Sequence, residues 1–339
     1  MKFHRTVLQI DADAEARRIV AALRQDVRRM FRKQGAVVGV SGGVDSAVVL
    51  ALCVRAFGPG GVAPLILPER DSSPDSERLA RDLCAEIGVT PTVENLTEAL
   101  DGFGCYRRRD EAVRRVFPDY DASAGDRIKI GLPQDLLEAD TLNAFAGTVV
   151  EADGTEKTKS LPPREFLQIV AASNFKQRAR MSVLYYHAEL RNCAVVGTAN
   201  KNEHGQGFFV KFGDGGADVQ PIAHLYKTQV YQLAHHLHVP AEIIQRTPTS
   251  DTYSAPSTQQ EFFFRLPFET MDLIWYALEH RVPIDDVAAV MNLSRAQVRR
   301  VFDDLQRKER ATEYLRMAPL QLTPAAVIAA ERAEPSLAL

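Results

Sequence analysis

Apolar positions along the first hundred residues alternate between two rhythms. From about Asp11 to Lys33, Ile19, Val20, Leu23, Val27 and Met30 recur at helical spacing with arginines on the other face, which predicts an N-terminal helix. AVVGV, Ala36 to Val40, is a short β-branched run that stops at SGG, after which AVVLALCVRAF resumes helical spacing to Phe57. A second strand is expected over VAPLILP, Val62 to Pro68, then a helix over Asp75 to Ile87 that ends at Gly88, then a third strand at about Val89 to Leu96. A long helix from about Pro163 to Arg191 leads into CAVVGT, Cys193 to Thr198, a fourth buried strand that again ends in small residues. Strands and helices alternating at these lengths make a parallel sheet with right-handed crossovers the economical topology.

The expected fold is therefore α/β, a doubly wound parallel sheet of five strands with an insertion and a helical C-terminal region. Between Cys105 and Pro163 the pattern degrades into CYRRRDEAVRRVFPDY, an Asp- and Gly-rich stretch, IKIGLP and the polar turn EADGTEKTKS, so no regular elements are assigned there. The expected organisation is an N-terminal helix over 1–34, a nucleotide-binding domain over 35–260 with the insertion at about 105–163, and a helical region over 261–339. There is no internal repeat or low-complexity tract.

Composition narrows the class. The 339 residues are 45% hydrophobic and 25% charged, the balance of a globular enzyme. A net charge of -3 gives no global field for nucleic acid or an anionic membrane, so any phosphate site must be local. Cys53, Cys84, Cys105 and Cys193 lie far apart without a CxxC pair or a secretory leader, which points to free thiols and a cytoplasmic setting. No apolar run approaches the roughly 18 residues that a membrane span needs.

The loop SGGVDS, Ser41 to Ser46, carries the chemistry. Gly42 and Gly43 allow positive φ and close approach of the backbone, and the helix that starts near Asp45 presents free N–H groups and the positive end of its dipole, so an anion belongs there. Ser41 and Ser46 hydroxyls would supplement a dipole contact worth only about 0.3 to 1 kcal/mol when exposed. Asp45 is the odd residue: a carboxylate beside phosphates repels them unless a divalent cation intervenes, which makes it a candidate Mg²⁺ ligand. A bland alternative is that Ser41 or Asp45 only caps the helix.

No GKS or GKT follows the glycines, so this is not a Walker loop; SGGVDS resembles the PP-loop of the ATP pyrophosphatases. Further motifs, NFKQRARM, VVGTANKNE, GFFVKFGDGGADVQPIAHLYKTQV and RTPTSD between Asn174 and Asp251, together resemble the ammonia-dependent NAD synthetases over most of Lys33 to Asp251 apart from the insertion. The resemblance implies an adenine nucleotide alpha hydrolase-like, Rossmann-like PP-loop fold. It also implies a two-step reaction in which ATP adenylates the nicotinate carboxyl of deamido-NAD, releasing pyrophosphate, and ammonia then displaces AMP. By resemblance, Asp45 and Glu203 would hold Mg²⁺, and Ser41, Gly42, Gly43 and Ser46 would cradle phosphates within an ATP-binding stretch that includes Gly39, Val40 and Val44. Thr198, Lys227 and Thr249 match ATP-contacting positions, with Lys227 a cation facing pyrophosphate. Arg178, Lys211 and Asp218 match positions that hold deamido-NAD, and Asp214 matches one placed to receive or deprotonate ammonia.

The sequence departs from the family where LPERDSSPDSE replaces a loop bearing a glycine and a glutamine, leaving Arg70 as a stand-in for an ATP contact, and where Lys308 is the nearest candidate for a C-terminal basic cluster. With about 35 residues before the first strand no glutaminase domain is expected there, so free ammonia or a separate ammonia-supplying partner would be the donor. A homodimer is expected by analogy. Alternatives are a sister PP-loop enzyme such as a tRNA thiolase or a GMP synthetase-like amidase, and a relative acting on nicotinate mononucleotide. From another class, the helix-turn-helix pattern of VAAVMNLSRAQVRRV suggests a nucleic-acid-binding regulator, although an αα-hairpin packed on the core accounts for it as well. The aromatic run EFFFRLPFETMDLIWYALEH reads as packing or dimer contacts, and the adjacent His235, His236 and His238 cannot share one helical face for a metal.

Overall fold

The computed structural model describes residues 3–132, 136–138, 145–249 and 252–321. Pro133 of IKIGLP, Ser250 and Asp251 of RTPTSD, and the expected helical region beyond 321 lie outside them. Helix α1 (Ala12–Leu23) runs into a π-helical turn through Met30, and β1 (Ala36–Gly39) follows. Next come α2 (Val44–Phe57), β2 (Val62–Ile66), α3 (Pro74–Ile87), β3 (Thr92–Val93), α4 (Thr97–Gly102) and α5 (Cys105–Val116). Strands β4 (Arg127–Gly131), β5 (Ala146–Val150) and β6 (Glu156–Ser160) precede the 29-residue α6 (Pro163–Arg191) and β7 (Ala194–Val196). The remainder is helical: α7 (Lys201–Gln206), α8 (Lys227–His236), α9 (Ala241–Gln245), α10 (Phe268–Glu279), α11 (Ile284–Met291), α12 (Arg295–Ala311) and α13 (Glu313–Arg316).

The main sheet is parallel with order β3-β2-β1-β7. Its side chains alternate as a twofold strand period requires. Ala36, Val38, Ile66 and Val196 enter one core with α1, α2, α3 and α8, while Val37, Leu65 and Val195 enter another against α6. Helices therefore cover both faces, and the doubly wound expectation holds. The parallel main sheet has four strands, not five, among the described residues. The fifth place is taken by one bridge, Val196 to Val219. The reason is local: the Asp218 carboxylate accepts the Val195 N–H at 2.8 Å, the donor a fifth strand would use, and Pro221 has no N–H to continue a ladder.

The insertion is more regular than its sequence suggests. Residues assigned no elements contain α5 and a separate antiparallel sheet of order β4-β5-β6. Strand β6, EKTKS, is exposed at every position, so it carries no apolar alternation to read. Ile128, Ile130 and Val149 of its partners enter a third core with Phe117 and Ile169. At the C-terminal end, α10 to α12 close a fourth core through Phe268, Met271, Ile274, Val298 and Val301. From Phe264 onward the aromatic run is packing, while Phe262 and Phe263 face the cavity, and the apolar face of α12 is turned inward, with Arg300 donating to the carbonyls of Leu136 and Leu137 and Arg295 paired to Asp285.

A buried ion cluster ties the insertion to the main sheet. Lys176 of α6, fully buried, lies 2.6 Å from Asp71 and 3.0 Å from Glu69 in the loop after β2, and donates to the Thr252 carbonyl at 2.8 Å. Arg109 of α5 completes the cluster, 2.6 Å from Asp71 and 2.8 Å from Asp110. Burial alone would raise the Asp71 carboxyl, but the Lys176 and Arg109 cations outweigh it and hold it at about 2. A carboxylate depressed in the folded state stabilises above its unfolded value and loses that contribution as pH falls through its folded one. Asp71→Asn, which leaves buried cations short of a partner, is expected to lower stability by roughly 3 kcal/mol at pH 7. Denaturant titrations of both proteins at several pH values should show the gap closing between about pH 4 and about pH 2. A gap unchanged across that window would contradict the ion-pair account.

Candidate active site

The C-terminal ends of β1 and β7 lie side by side, because the two strands pair from Ala36 with Ala194 to Val38 with Val196. Loops leaving parallel strands at such an edge face a common crevice. On the first, Gly42 has φ +74 and is packed so that a Cβ would come within 2.5 Å of the Ser76 carbonyl in the first turn of α3. The loop is closed on itself: the Ser41 N–H reaches the Ser46 Oγ at 3.2 Å, the Ser46 Oγ donates to the Gly43 carbonyl at 3.0 Å, and the Gly43 N–H reaches the Ser41 Oγ at 3.3 Å. Gly43 is the N-cap of α2 without a side chain to satisfy the first-turn amides, so these remain directed at the crevice.

The second loop, TANKNE, opens α7 through a capping box, in which the Asn200 side chain accepts the Glu203 N–H and the Glu203 carboxylate accepts the Asn200 N–H. Asn200 then uses its free amide to reach Asp45 Oδ1 at 2.9 Å. Lys227, at the start of α8 and almost fully buried, is ion-paired to Asp45. Its backbone N–H is held by Asn202 at 3.0 Å, and Asn202 is fixed in turn by the buried Asp272. Burial disfavours the Lys227 ammonium, yet Asp45 and Glu203 outweigh that and hold it above the ordinary lysine range. Burial and the neighbouring Asp45 push Glu203 up to about 8, against the pull of Lys227. Asp45 thus pairs with the cation while Glu203 acts on it at longer range, and the hard oxygens of these two acids are the donors available to a divalent metal. Among the described residues no cluster of three or more His, Cys, Asp or Glu side chains adds to them.

Around this centre lies a cavity of about 720 Å³, within the rough 300–1,000 Å³ span of small-molecule sites. It collects residues 39–41 and 43–46, together with Thr198, Glu203, Asp214, Lys227 and Thr249. Asp214 faces it from the GDGG turn, where its carboxylate accepts the Val210 N–H at 2.7 Å; the surrounding protein pushes it up to about 6. Gly42 supports the loop from behind rather than lining the cavity.

The three residues expected to hold deamido-NAD also stand outside it. Arg178 is exposed on α6, whose cavity face is marked by Asn174, Gln177, Met181 and Leu184, about 100° away around the helix. Lys211 donates to the carbonyls of Tyr314 and Met317 at 2.8 and 2.9 Å. Asp218 caps the sheet edge and accepts the Tyr185 hydroxyl at 3.1 Å. Arg70 stacks over Tyr106 at 3.7 Å, and Lys308 is buried against Asp304 and the Phe263 carbonyl, so neither reaches the cavity. The expected site set left out Arg180, which NFKQRARM carries beside Arg178, and Arg246, both of which line it, and Asn200, which joins the two loops. The helical spacing from Gln177 would have favoured Arg180 over Arg178, and NKNE already carried the capping-box pattern of Asn200 and Glu203.

The family model described as NAD synthase matches residues 15–115 and 146–316. An NH(3)-dependent NAD(+) synthetase of Mesorhizobium japonicum is 50% identical over 315 residues, 93% of this chain and 98% of its own length. Among solved structures, an NH3-dependent NAD synthetase from Campylobacter jejuni in complex with the nitrate ion matches with a TM-score of 0.60 at 23% identity, over 93% of this chain and all of that one. An NMN synthetase from Francisella tularensis matches with a TM-score of 0.58 at 21% identity, over 94% of this chain and all of that one. At such identities the likeness speaks to the fold.

The packing at Gly42 makes a direct expectation. Gly42→Ala must both adopt positive φ and displace the Ser76 carbonyl, so thermal unfolding should shift down and ATP affinity, read by titration calorimetry, should fall at least tenfold. ATP binding as tight as in the parent protein would show that the loop backbone does not hold the nucleotide.

Proposed function

Because the chain belongs to the NAD synthase family, we propose that it is an ammonia-dependent NAD(+) synthetase, which amidates deamido-NAD at the expense of ATP and releases AMP and pyrophosphate. The observation that carries this reading is the cavity that joins the SGG loop to the Asp45, Lys227 and Glu203 cluster. It supports a PP-loop fold with ATP phosphates against Ser41, Gly43 and Ser46 and Gly42 holding the loop from behind, the nucleotide lying along Gly39, Val40 and Val44 with contacts from Thr198 and Thr249.

A carboxylate is a poor electrophile and is repelled by a triphosphate, so the site has two tasks. It must offset charge, and it must exclude water from an activated acyl group. In the first step an oxygen of the nicotinate carboxylate bonds to the α-phosphorus, and the bond from that phosphorus to the pyrophosphate oxygen breaks. Lys227, fixed by Asn202 through its backbone, holds its ammonium toward the departing pyrophosphate. Asp45 and Glu203 would hold Mg²⁺, which when bound supplies the divalent charge that lets anion meet anion. In the second step the ammonia nitrogen bonds to the carboxyl carbon, the bond to AMP breaks, and Asp214 takes the surplus proton. A carboxyl held near 6 is ionised at neutral pH and still basic enough for that transfer. Arg178, exposed on α6, joins the acceptor site in this reading only where two copies pack together, as expected of a homodimer with sites near its interface. Lys211 and Asp218 would first have to release their present partners.

Purified protein given ATP, Mg²⁺, ammonium and deamido-NAD is expected to form NAD, AMP and pyrophosphate in equal amounts. ADP and phosphate as products would rule out the adenylate route. Asp45→Asn should lower kcat/KM at least a hundredfold while thermal unfolding moves only a few degrees, because losing the Asp45 charge removes one of the forces that raise Glu203 and lets Glu203 ionise as a counter-anion to Lys227. Activity within a few-fold of the parent would remove Asp45 from the metal site. The rate should also fall as pH drops through about 6, where Asp214 becomes protonated, and Asp214→Asn should flatten that limb of the profile.

A further inference from the structure

Among the described residues of the stretch that the family model passes over, 116–145, two side chains reach the cavity wall: Ile130 of β4 and Phe145 just before β5. There Phe145 stacks on Phe166 of α6, with ring centroids 4.6 Å apart and planes at 20°, and is tilted against Phe262 at 6.2 Å. Tyr253 meets Phe262 edge-on at 5.5 Å, and all four rings line the cavity. They are not loosely placed. The Ile128 N–H donates to the Ser254 Oγ at 2.9 Å, its carbonyl accepts the Ala255 N–H at 3.0 Å, and Gly131 lies so close to the Glu261 carbonyl that a Cβ would come within 2.8 Å. The inserted sheet is thus clamped onto the segment that carries Tyr253 and Phe262.

This aromatic corner adjoins the reactive centre. Gln259, one helical turn before Phe262, donates to Glu203 Oε1 at 3.2 Å. A ring seated against Phe145 and Phe262 is therefore placed to turn a substituent toward Glu203 and Lys227. Half-buried π faces around one corner select a planar cation, because the ring quadrupole attracts positive charge while flat stacking excludes water. The acceptor ring in the reading above has that chemistry, an N-substituted pyridinium that bears the reacting carboxylate.

We propose that Phe145, supported by Ile130, makes the inserted segment a specificity-determining wall that binds the pyridinium ring of the acceptor by stacking and cation–π attraction. This rests on the proposed function for the identity of the acceptor. Phe145→Ala is expected to raise KM for deamido-NAD, and Kd by direct calorimetric titration, about five- to tenfold, with KM for ATP unchanged within twofold. Phe145→Leu, which keeps apolar bulk but no π face, should be nearly as weak as the alanine variant, and Phe145→Trp should restore binding. Ile130→Ala should give a smaller effect in the same direction. Leucine as effective as phenylalanine would reduce Phe145 to packing, and KM for ATP rising in parallel, or neither constant moving, would overturn the proposal. Failure of the parent protein to make NAD from deamido-NAD would instead strike the proposed function, and the Kd series would still decide whether Phe145 holds a pyridinium ring.

Discussion

One buried ammonium organises the rim of the site. Lys176 is sealed from solvent on α6 and meets three acceptors from two distant loops: Glu69 and Asp71 after β2, and the Thr252 carbonyl beyond α9. A cation in such surroundings tolerates no missing partner, since removing one leaves an uncompensated charge worth several kcal/mol. Both loops border the cavity, through Ser72 and Ser73 on one side and Thr252 and Tyr253 on the other. Their spacing is therefore set by ion pairs on one side and a hydrogen bond to a carbonyl on the other, rather than by apolar contacts that could slide. Arg109 extends the same constraint to α5 and so to the insertion.

The reactive centre follows the opposite rule. At the centre the Lys227 cation is paired to Asp45 and feels Glu203 at longer range, and Glu203 is pushed up to about 8 by burial and by its like-charged neighbour Asp45. At the rim two cations and three carboxylates are sealed away from the cavity, whereas the acids and the lysine of the centre line it. That access is what makes the second cluster a place for added positive charge, while the first is a fastener. Supporting groups make the distinction mechanical: Asn200 fixes Asp45, Asn202 fixes Lys227, and Asp272 fixes Asn202 from beneath.

The parts of the fold visible in the sequence are those with a buried, periodic signature. The β-branched runs at 36–40 and 62–66 are covered on both faces, α3 ends at Gly88 in the left-handed conformation, and α6 spans the expected Pro163 to Arg191. The loop SGGVDS was legible for the same reason, as glycines stand where the backbone must turn against Ser76. What was hidden depends on distant partners. Strand β6 is polar throughout and takes its register from β5, from Ala146 with Ser160 to Val150 with Glu156. Lys211 bonds to carbonyls more than a hundred residues away, and no local pattern announces that. Asp218 lies in a GDGG context that suggests ligand contact, yet its carboxylate occupies the amide a fifth strand would have needed.

That last substitution bears on how the chain behaves before it is an enzyme. In the order β3-β2-β1-β7, the final strand is an edge, and an edge with free amides is a template for another chain to pair with. By taking the Val195 amide with a charged side chain, and by following it with Pro221, the segment presents a newly folded sheet with a border that rejects a stranger's strand. Residues 218–221 thus leave the border without the free donors that strand addition would need at the place where the sheet stops.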